Sequence, residues 1–544
     1  MIVIIESLTE EQSKFKEALR DKILLFYNNV YLKIQSEMPS DLRGQLNLLA
    51  DRNSCSSNTL FYIENIIFIK EYCDNYDVER VETKDKVLYV ILKDQFPIIY
   101  TGSNRLSTSA LFYIIRPLVF YTLWAIRCII NKSSSRIKKI KKLDEVIFVE
   151  SDIMKHSDSY NDRYYTGLWD QISDKWKSKV YYFIQFLPIP YSNEFKTIEG
   201  NSKQNLIYLN DFLKISDYIY ALRKVNISRK YRRFDISYDG ISLNPLFNII
   251  YSQRYRIYNI YPFLYERVIH NMKESKINIK CFVDWYENQS YDKGLYYAFN
   301  KYYPEVPVNS YVGYVKDYRK EPYGIPSPKE ISLNLAPSRI FVCSQFVKNN
   351  FIKNGYKGNV DVVPFYRSQK VYTLNRGTTE KVNNSNYLLA LLGLNMIEIK
   401  SIVSYLCKLE KVLPEGYSIC VKPHPACPSN VIKDLIGGDS KRIEVIGGDT
   451  YERILSSFAV IGANSTSMYE AMALGVPVIT IDVDDADNDR NELKYSACNP
   501  NNVPEILNKI SLYSKNELTQ MGNKLRSYYF EPTNQDGTNN LLGM

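Results

Sequence analysis

His424 sits in the run Val421-Lys422-Pro423-His424-Pro425, at the end of a short apolar, β-rich segment, and is one of three histidines in the chain. Prolines on both sides fix the local backbone. The imidazole is thereby held where it can donate to a phosphate oxygen or protonate a departing phosphate. A second chemical element follows in Gly462-Ala-Asn-Ser465-Thr466-Ser467-Met-Tyr-Glu470-Ala-Met-Ala-Leu-Gly475-Val-Pro477. Here a strand stops and hydroxyl residues open a helix, whose N-terminus offers unpaired N–H groups and a positive dipole to an anion. Ser465, Thr466 and Ser467 add side-chain donors. Ser467 and Glu470 also have the spacing of a capping box, which is compatible with anion binding.

Two such elements need a parallel α/β layer to hold them, because ligands bind such sheets at the carboxyl ends of the strands. The sequence between 387 and 483 supplies one. Apolar runs predict strands at Tyr387–Leu392, Tyr417–Val421, Arg442–Ile446, Ala459–Ile461 and Pro477–Ile481. Helical periods predict helices between them at Met396–Val412, Ser429–Ile436, Thr450–Phe458 and Ser467–Leu474, bounded by Gly, Pro, Asp or Ser. Upstream, Arg339–Ser344 and Asp361–Pro364 read as strands around a helix at Gln345–Gly355, and the polar stretch 366–386 reads as a linker. The first part of the chain carries further α/β pattern at Val87–Leu92, Glu145–Glu150, Lys179–Leu187, Tyr218–Leu222 and Ile279–Trp285. Helical periods recur at Val503–Tyr513 and Glu517–Tyr529, and the polar end Asn534–Asn540 is expected to fray.

The His-Pro element and the Ser/Thr-rich helix start together resemble the C-terminal domain of GT-B glycosyltransferases. More specifically, they resemble bacterial sialyltransferase- and Kdo-transferase-like enzymes of surface-polysaccharide synthesis that use CMP-activated sugars. The resemblance covers about residues 335–485. It implies an α/β, GT-B fold with two Rossmann-like domains facing a cleft. These are an acceptor-side domain over 1–370, with a membrane-associating helical insertion at 110–142, and a nucleotide-sugar-binding domain over 371–515, followed by a helix and tail over 516–544. It implies that His424 and Pro425 line the nucleotide site, that His424 supports the departing phosphate, and that Ser465, Thr466 and Ser467 hold the CMP phosphate, with Lys422 and Glu470 as weaker additions. CDP-glycerol glycerophosphotransferases carry similar elements. The sialyltransferases' paired-carboxylate-glycine element is absent; the nearest match is Tyr238-Asp239-Gly240.

An inverting transfer also needs a base for the acceptor hydroxyl. Phe282-Val-Asp284-Trp-Tyr-Glu287-Asn288-Gln289 and His156-Ser-Asp158-Ser-Tyr-Asn-Asp162-Arg163-Tyr164-Tyr-Thr-Gly167 each follow an apolar strand, and Glu287 and Asp162 are the candidates. Tyr311-Val-Gly313-Tyr314 reads as acceptor-side lining. Asp482-Val-Asp484-Asp485 superficially matches a metal-binding D-x-D but lacks further ligands at fixed spacing, so it reads as a solvated acidic loop with no metal or resident cofactor expected.

Composition bounds these readings. At about 100–200 residues per domain, 544 residues exclude a single small module. With 22 Gly and 22 Pro, the chain is not linker-dominated. Nine cysteines without C-x-x-C or paired histidines favour neither a disulfide framework nor a zinc knuckle. The net charge of +9 is small for this length but locally steep. Ala110–Ile130 is a 21-residue apolar stretch interrupted by Arg116, Pro117 and Arg127, the two arginines lying on one helical face. Lys132, Arg136, Lys138, Lys139, Lys141 and Lys142 follow before any acidic residue. This pattern predicts an in-plane anchor on an anionic leaflet rather than a span or a nucleic-acid site, the alternative being a buried core helix followed by a solvated basic loop. The resulting expectation is an inverting, metal-independent glycosyltransferase, peripheral on the cytoplasmic face of the inner membrane. It would move a nonulosonate or Kdo-like sugar from a CMP-linked donor to a glycan or lipid-linked acceptor. The rivals are a UDP- or GDP-sugar transferase, a CDP-glycerol glycerophosphotransferase, and a non-catalytic nucleotide-sugar-binding subunit.

Overall fold

The computed structural model describes residues 1–39, 42–46, 58–102, 110–152, 160, 162, 164–185, 193–226, 233–316, 324–367, 369–374, 386–393, 396–424, 427–438, 440–463, 465–481 and 491–544. Strands β1 (Ile2–Ile4), β2 (Arg80–Thr83) and β3 (Ile98–Tyr100) form a small parallel sheet. It shares a core with the helices Arg20–Glu37 and Thr59–Asn75 and with residues 234–251, which lie beyond the next sheet's first strands in sequence. The first 370 residues therefore hold two cores.

The larger of these is built on a seven-stranded sheet of β4 (Val146–Asp152), β5 (Val180–Gln185), β6 (Asn205–Tyr208), β9 (Ile279–Trp285), β10 (Val308–Val312), β11 (Arg339–Val342) and β12 (Asn359–Val362). The hairpin strands β7 (Ser237–Tyr238) and β8 (Ile241–Ser242) belong to the smaller core. The strand order is β12-β11-β10-β9-β4-β5-β6, parallel throughout. A six-stranded parallel sheet follows, made of β13 (Tyr387–Leu391), β14 (Ser418–Lys422), β15 (Ile443–Val445), β16 (Ala459–Gly462), β17 (Val478–Thr480) and β18 (Lys494–Ser496), in the order β15-β14-β13-β16-β17-β18. In both sheets the order runs outward from a central pair, β4/β9 and β13/β16. The direction of winding reverses there, and a crevice opens at the carboxyl ends.

The strands predicted between 339 and 481 all form, within one or two residues. Two of the earlier α/β segments are helices. Lys86–Leu92 is a helix because the Asp85 carboxylate accepts from the Val87 and Leu88 amides at 2.7 and 3.0 Å, capping a run whose β-branched and aromatic residues otherwise suit a strand. Tyr218–Leu222 lies inside the helix Ile215–Lys224, one face of which is buried.

The expected frayed end is instead a helix, Gln535–Leu542, capped by Asn534. After the helix Lys515–Tyr529 packs on the six-stranded unit, the chain crosses back. The Phe365 amide donates to Glu531 O, and the Glu531 amide to Cys343 O. Leu541 and Leu542 are then buried against the seven-stranded sheet, with Asn309 Nδ2 donating to Leu541 O at 2.7 Å. Burying each leucine is worth about 1.5–3 kcal/mol, enough to order an otherwise polar segment. Phe346, Tyr469 and Tyr529 meet with centroids 5.0–5.3 Å apart, joining one face of the six-stranded sheet to the larger core.

Candidate active site

His424 follows β14, and Ser465–Ser467 follow β16; β13 lies between these parallel strands. At about 4.8 Å per neighbouring strand, the two strand ends are about 10 Å apart on the same carboxyl edge. They flank the switch point of the sheet. Pro423 is buried, His424 and Lys422 are half-buried, and the His424 carbonyl accepts from the Cys427 amide at 2.8 Å, turning the chain back. Pro425 lies outside the described residues, as do His156, Asp158, Arg163 and the acidic loop at 482–485.

The helix Thr466–Ala473 starts at Ser465, not Ser467. Ser465 is extended, and its hydroxyl accepts from the Ser467 amide at 3.4 Å. The predicted box between Ser467 and Glu470 gives way to another arrangement. Glu470 is buried and accepts from Tyr451 Oη at 2.8 Å. Burial pushes its carboxyl up, against the opposing pull of the Arg367 charge and the Tyr451 and Ser467 hydroxyls. The Thr466 hydroxyl donates to Val315 O at 3.0 Å and accepts from the Val315 amide at 3.3 Å.

Val315 follows β10, so this contact sets the carboxyl edges of the two large sheets against each other. The segment 311–315 leads from there to the other candidate group. Tyr314 Oη donates to Tyr286 O at 3.2 Å, and Gly313 packs against the Trp285 ring with no room for a Cβ. Tyr311 is not lining; it is fully buried and donates to Pro364 O at 3.0 Å. Tyr314 is buried as well.

Glu287 occupies a turn just past β9, half-buried, and its Oε1 accepts from Trp285 Nε1 at 3.0 Å. One carboxylate shapes that turn. Asp292 Oδ2 accepts from the Glu287 amide at 3.2 Å and the Gln289 amide at 2.8 Å, while Asn288 takes φ +54. Asn is among the few residues that tolerate this left-handed conformation. Trp285 stacks on Tyr164, centroids 4.2 Å apart, which brings the Asp162 loop beside the Glu287 turn.

Asp162 itself is buried. Its Oδ1 accepts from the amides of Tyr164 and Tyr165 at 2.8 and 3.0 Å and from Ser151 Oγ at 3.1 Å, so it folds the loop rather than facing the cleft. Burial pushes it up to about 6 despite these donors. Asp239-Gly240, the nearest match to the missing carboxylate-glycine element, is the two-residue turn of the β7–β8 hairpin. Both residues have positive φ, and Asp239 pairs with Lys70 at 2.7 Å. It serves the smaller core.

Three carboxylates escaped the sequence reading as a group. Glu150 of β4 and Asp284 of β9 lie one residue beyond the paired Val149 and Val283, side by side at the switch point. Both are fully buried: Glu150 accepts from Tyr265 Oη and the Trp285 amide, and Asp284 from Tyr296 Oη at 2.6 Å and Ser310 Oγ at 2.7 Å. Burial raises both carboxyls, with the Asp284 charge adding to the effect on Glu150, and burial also raises Asp292. Acids inside or ending an apolar strand read as strand termini; only Asp292, three residues after Gln289, carried a local signal, that of a helix start.

No known family model matches the chain, and no curated protein matches it in sequence. Solved structures similar to it include UDP-GlcNAc 2-epimerase from Neisseria meningitidis bound to UDP-GlcNAc, at 12% identity and a TM-score of 0.40, covering 73% of this chain and 99% of that one. TarM matches at 9% identity and a TM-score of 0.43, over 74% of this chain and 100% of that one. OtsA in its apo form matches at 9% identity and a TM-score of 0.42, over 73% and 99% respectively.

Proposed function

We propose that the protein is an inverting GT-B-type glycosyltransferase of surface-polysaccharide or glycolipid assembly, moving a nonulosonate or Kdo-like sugar from a CMP-linked donor to a glycan or lipid-linked acceptor. One observation carries the reading: the Thr466–Val315 contact joins the carboxyl edges of two parallel sheets, with a phosphate-suited element on one side and a carboxylate on the other. The donor phosphate sits between His424 and the helix start at Ser465–Ser467, a separation one nucleotide bridges, with Lys422 beside it. Glu287 takes the acceptor hydroxyl proton as that oxygen bonds to the anomeric carbon. The glycosyl–phosphate bond breaks, and the His424 imidazole and the helix amides receive the charge on the leaving phosphate. Thr466 and Glu470 hold the helix in place, and Asp162 holds the loop packed on Trp285.

Protection against heat denaturation by CMP, UDP, GDP and CDP, compared side by side, tests the donor, because a ligand selective for the folded state raises apparent stability. CMP is expected to protect, and His424→Ala to abolish acceptor-dependent CMP release. Protection by UDP alone would overturn the CMP assignment. Nucleotide binding without turnover on any acceptor would favour a non-catalytic subunit.

A further inference from the structure

The helix Ala110–Ile130 is apolar on two opposite sides. Tyr121, Trp124, Ala125 and Cys128 are buried. Tyr121 Oη donates to Tyr218 O at 2.9 Å, and the Trp124 ring meets Tyr218 and Tyr261. At ~100° per residue these four positions span an arc of about 100°. Ile115, Val119, Leu123, Ile126 and Ile130 fall within an arc of about 80° on the other side. They are exposed, Leu123 at 56% and Ile130 at 74%. Arg116 and Arg127, also exposed, run along one border of this stripe.

The basic run that follows divides in two. Arg136 is turned inward, bridging Asp211 at 3.0 Å and Glu199 at 2.8 Å, and Lys132 Nζ donates to Leu213 O at 2.8 Å. Lys138, Lys139, Lys141 and Lys142 remain exposed, just past a 61° bend in the helix path. No single helix among the described residues is long and apolar enough to cross a membrane.

We propose that this stripe docks on a bilayer surface bearing anionic headgroups. The apolar residues enter the acyl boundary, Arg116 and Arg127 extend to the phosphates, and the four lysines supply the charge preference. A second copy of the chain is the poorer occupant, since its matching face carries the same positive charge, whereas an anionic surface complements it. The test is co-sedimentation of the full chain with phosphatidylcholine vesicles, with and without roughly a third phosphatidylglycerol. Binding is expected to the anionic vesicles, to fall about tenfold or more in Leu123→Glu/Ile126→Glu, and to fall about a thousandfold when the four lysines become Gln. All six positions are on the surface, so unchanged melting temperatures will show that the variants are folded. Wild-type protein left in the supernatant, or variants that bind equally, would overturn the proposal. So would a dimer that Leu123→Glu/Ile126→Glu dissolves without vesicle binding in the wild type; the face would then join two copies.

Discussion

The Thr466 hydroxyl both donates to and accepts from the backbone of Val315, 151 residues earlier, so one side chain couples the helix at the proposed phosphate site to the loop after β10. Thr466→Val removes both bonds and leaves a part-buried amide and carbonyl without them, at a cost of about 1–2 kcal/mol. The apparent melting temperature is expected to fall by roughly 1–4 °C, and Thr466→Ser to restore most of it. Equal melting of Val and wild type by calorimetry would contradict the coupling.

Glu287→Gln keeps an oxygen for the Trp285 Nε1–H and keeps the turn bound to Asp292, but removes the proposed base. Acceptor-dependent turnover should fall by about 10²–10⁴. Nucleotide affinity, measured by calorimetry, should stay within twofold of wild type, about 0.4 kcal/mol. A full-rate variant would move the base elsewhere.

Asp162 gives a pH signature whose sign is fixed by linkage. Burial raises its carboxyl to about 6 in the folded protein, whereas the unfolded chain releases the proton near pH 4. Between these values the folded state binds the extra proton, so this residue's contribution to stability falls as pH rises from about 4 to 6 and is level above. Asp162→Asn lacks that loss. Stability of the variant relative to wild type should rise by about 2–3 kcal/mol across the window, followed by denaturant titration at several pH values; a flat difference would refute the assignment.

Gly313→Ala would force a Cβ closer than 3.0 Å to the rings of Trp285 and Tyr311. Trp285 must then leave its stack on Tyr164, and overpacking of this kind costs about 1–3 kcal/mol. Loss of turnover with nucleotide protection retained is the expected pattern, because the displaced groups all belong to the Glu287 side.

Five strands of the six-stranded unit were legible because they are Val-, Ile- and Leu-rich runs flanked by Gly or Pro; the sixth, Lys494–Ser496, is a short polar run without that signal. Ser465 to Ser467 were legible as a helix start, but not the use of Thr466, since its partner Val315 is remote in sequence. Lys86–Leu92 misleads by composition, and only the Asp85 cap decides it. Glu150 and Asp284 owe their character to Tyr265, Tyr296 and Ser310, which no local window brings together. The polar run before Leu541 hides two leucines whose burial fixes the segment.

That last helix also bears on how the chain is made. Asn309, next to the central strand of the larger N-terminal core, finds its partner carbonyl on Leu541 only 232 residues later. At ~5–20 residues per second of synthesis, this core waits roughly ten to fifty seconds after its middle strands leave the ribosome before the closing piece arrives. During that interval the larger N-terminal core keeps an unclosed seam, and a stop codon ahead of Gln535 would injure the half of the protein that was translated first.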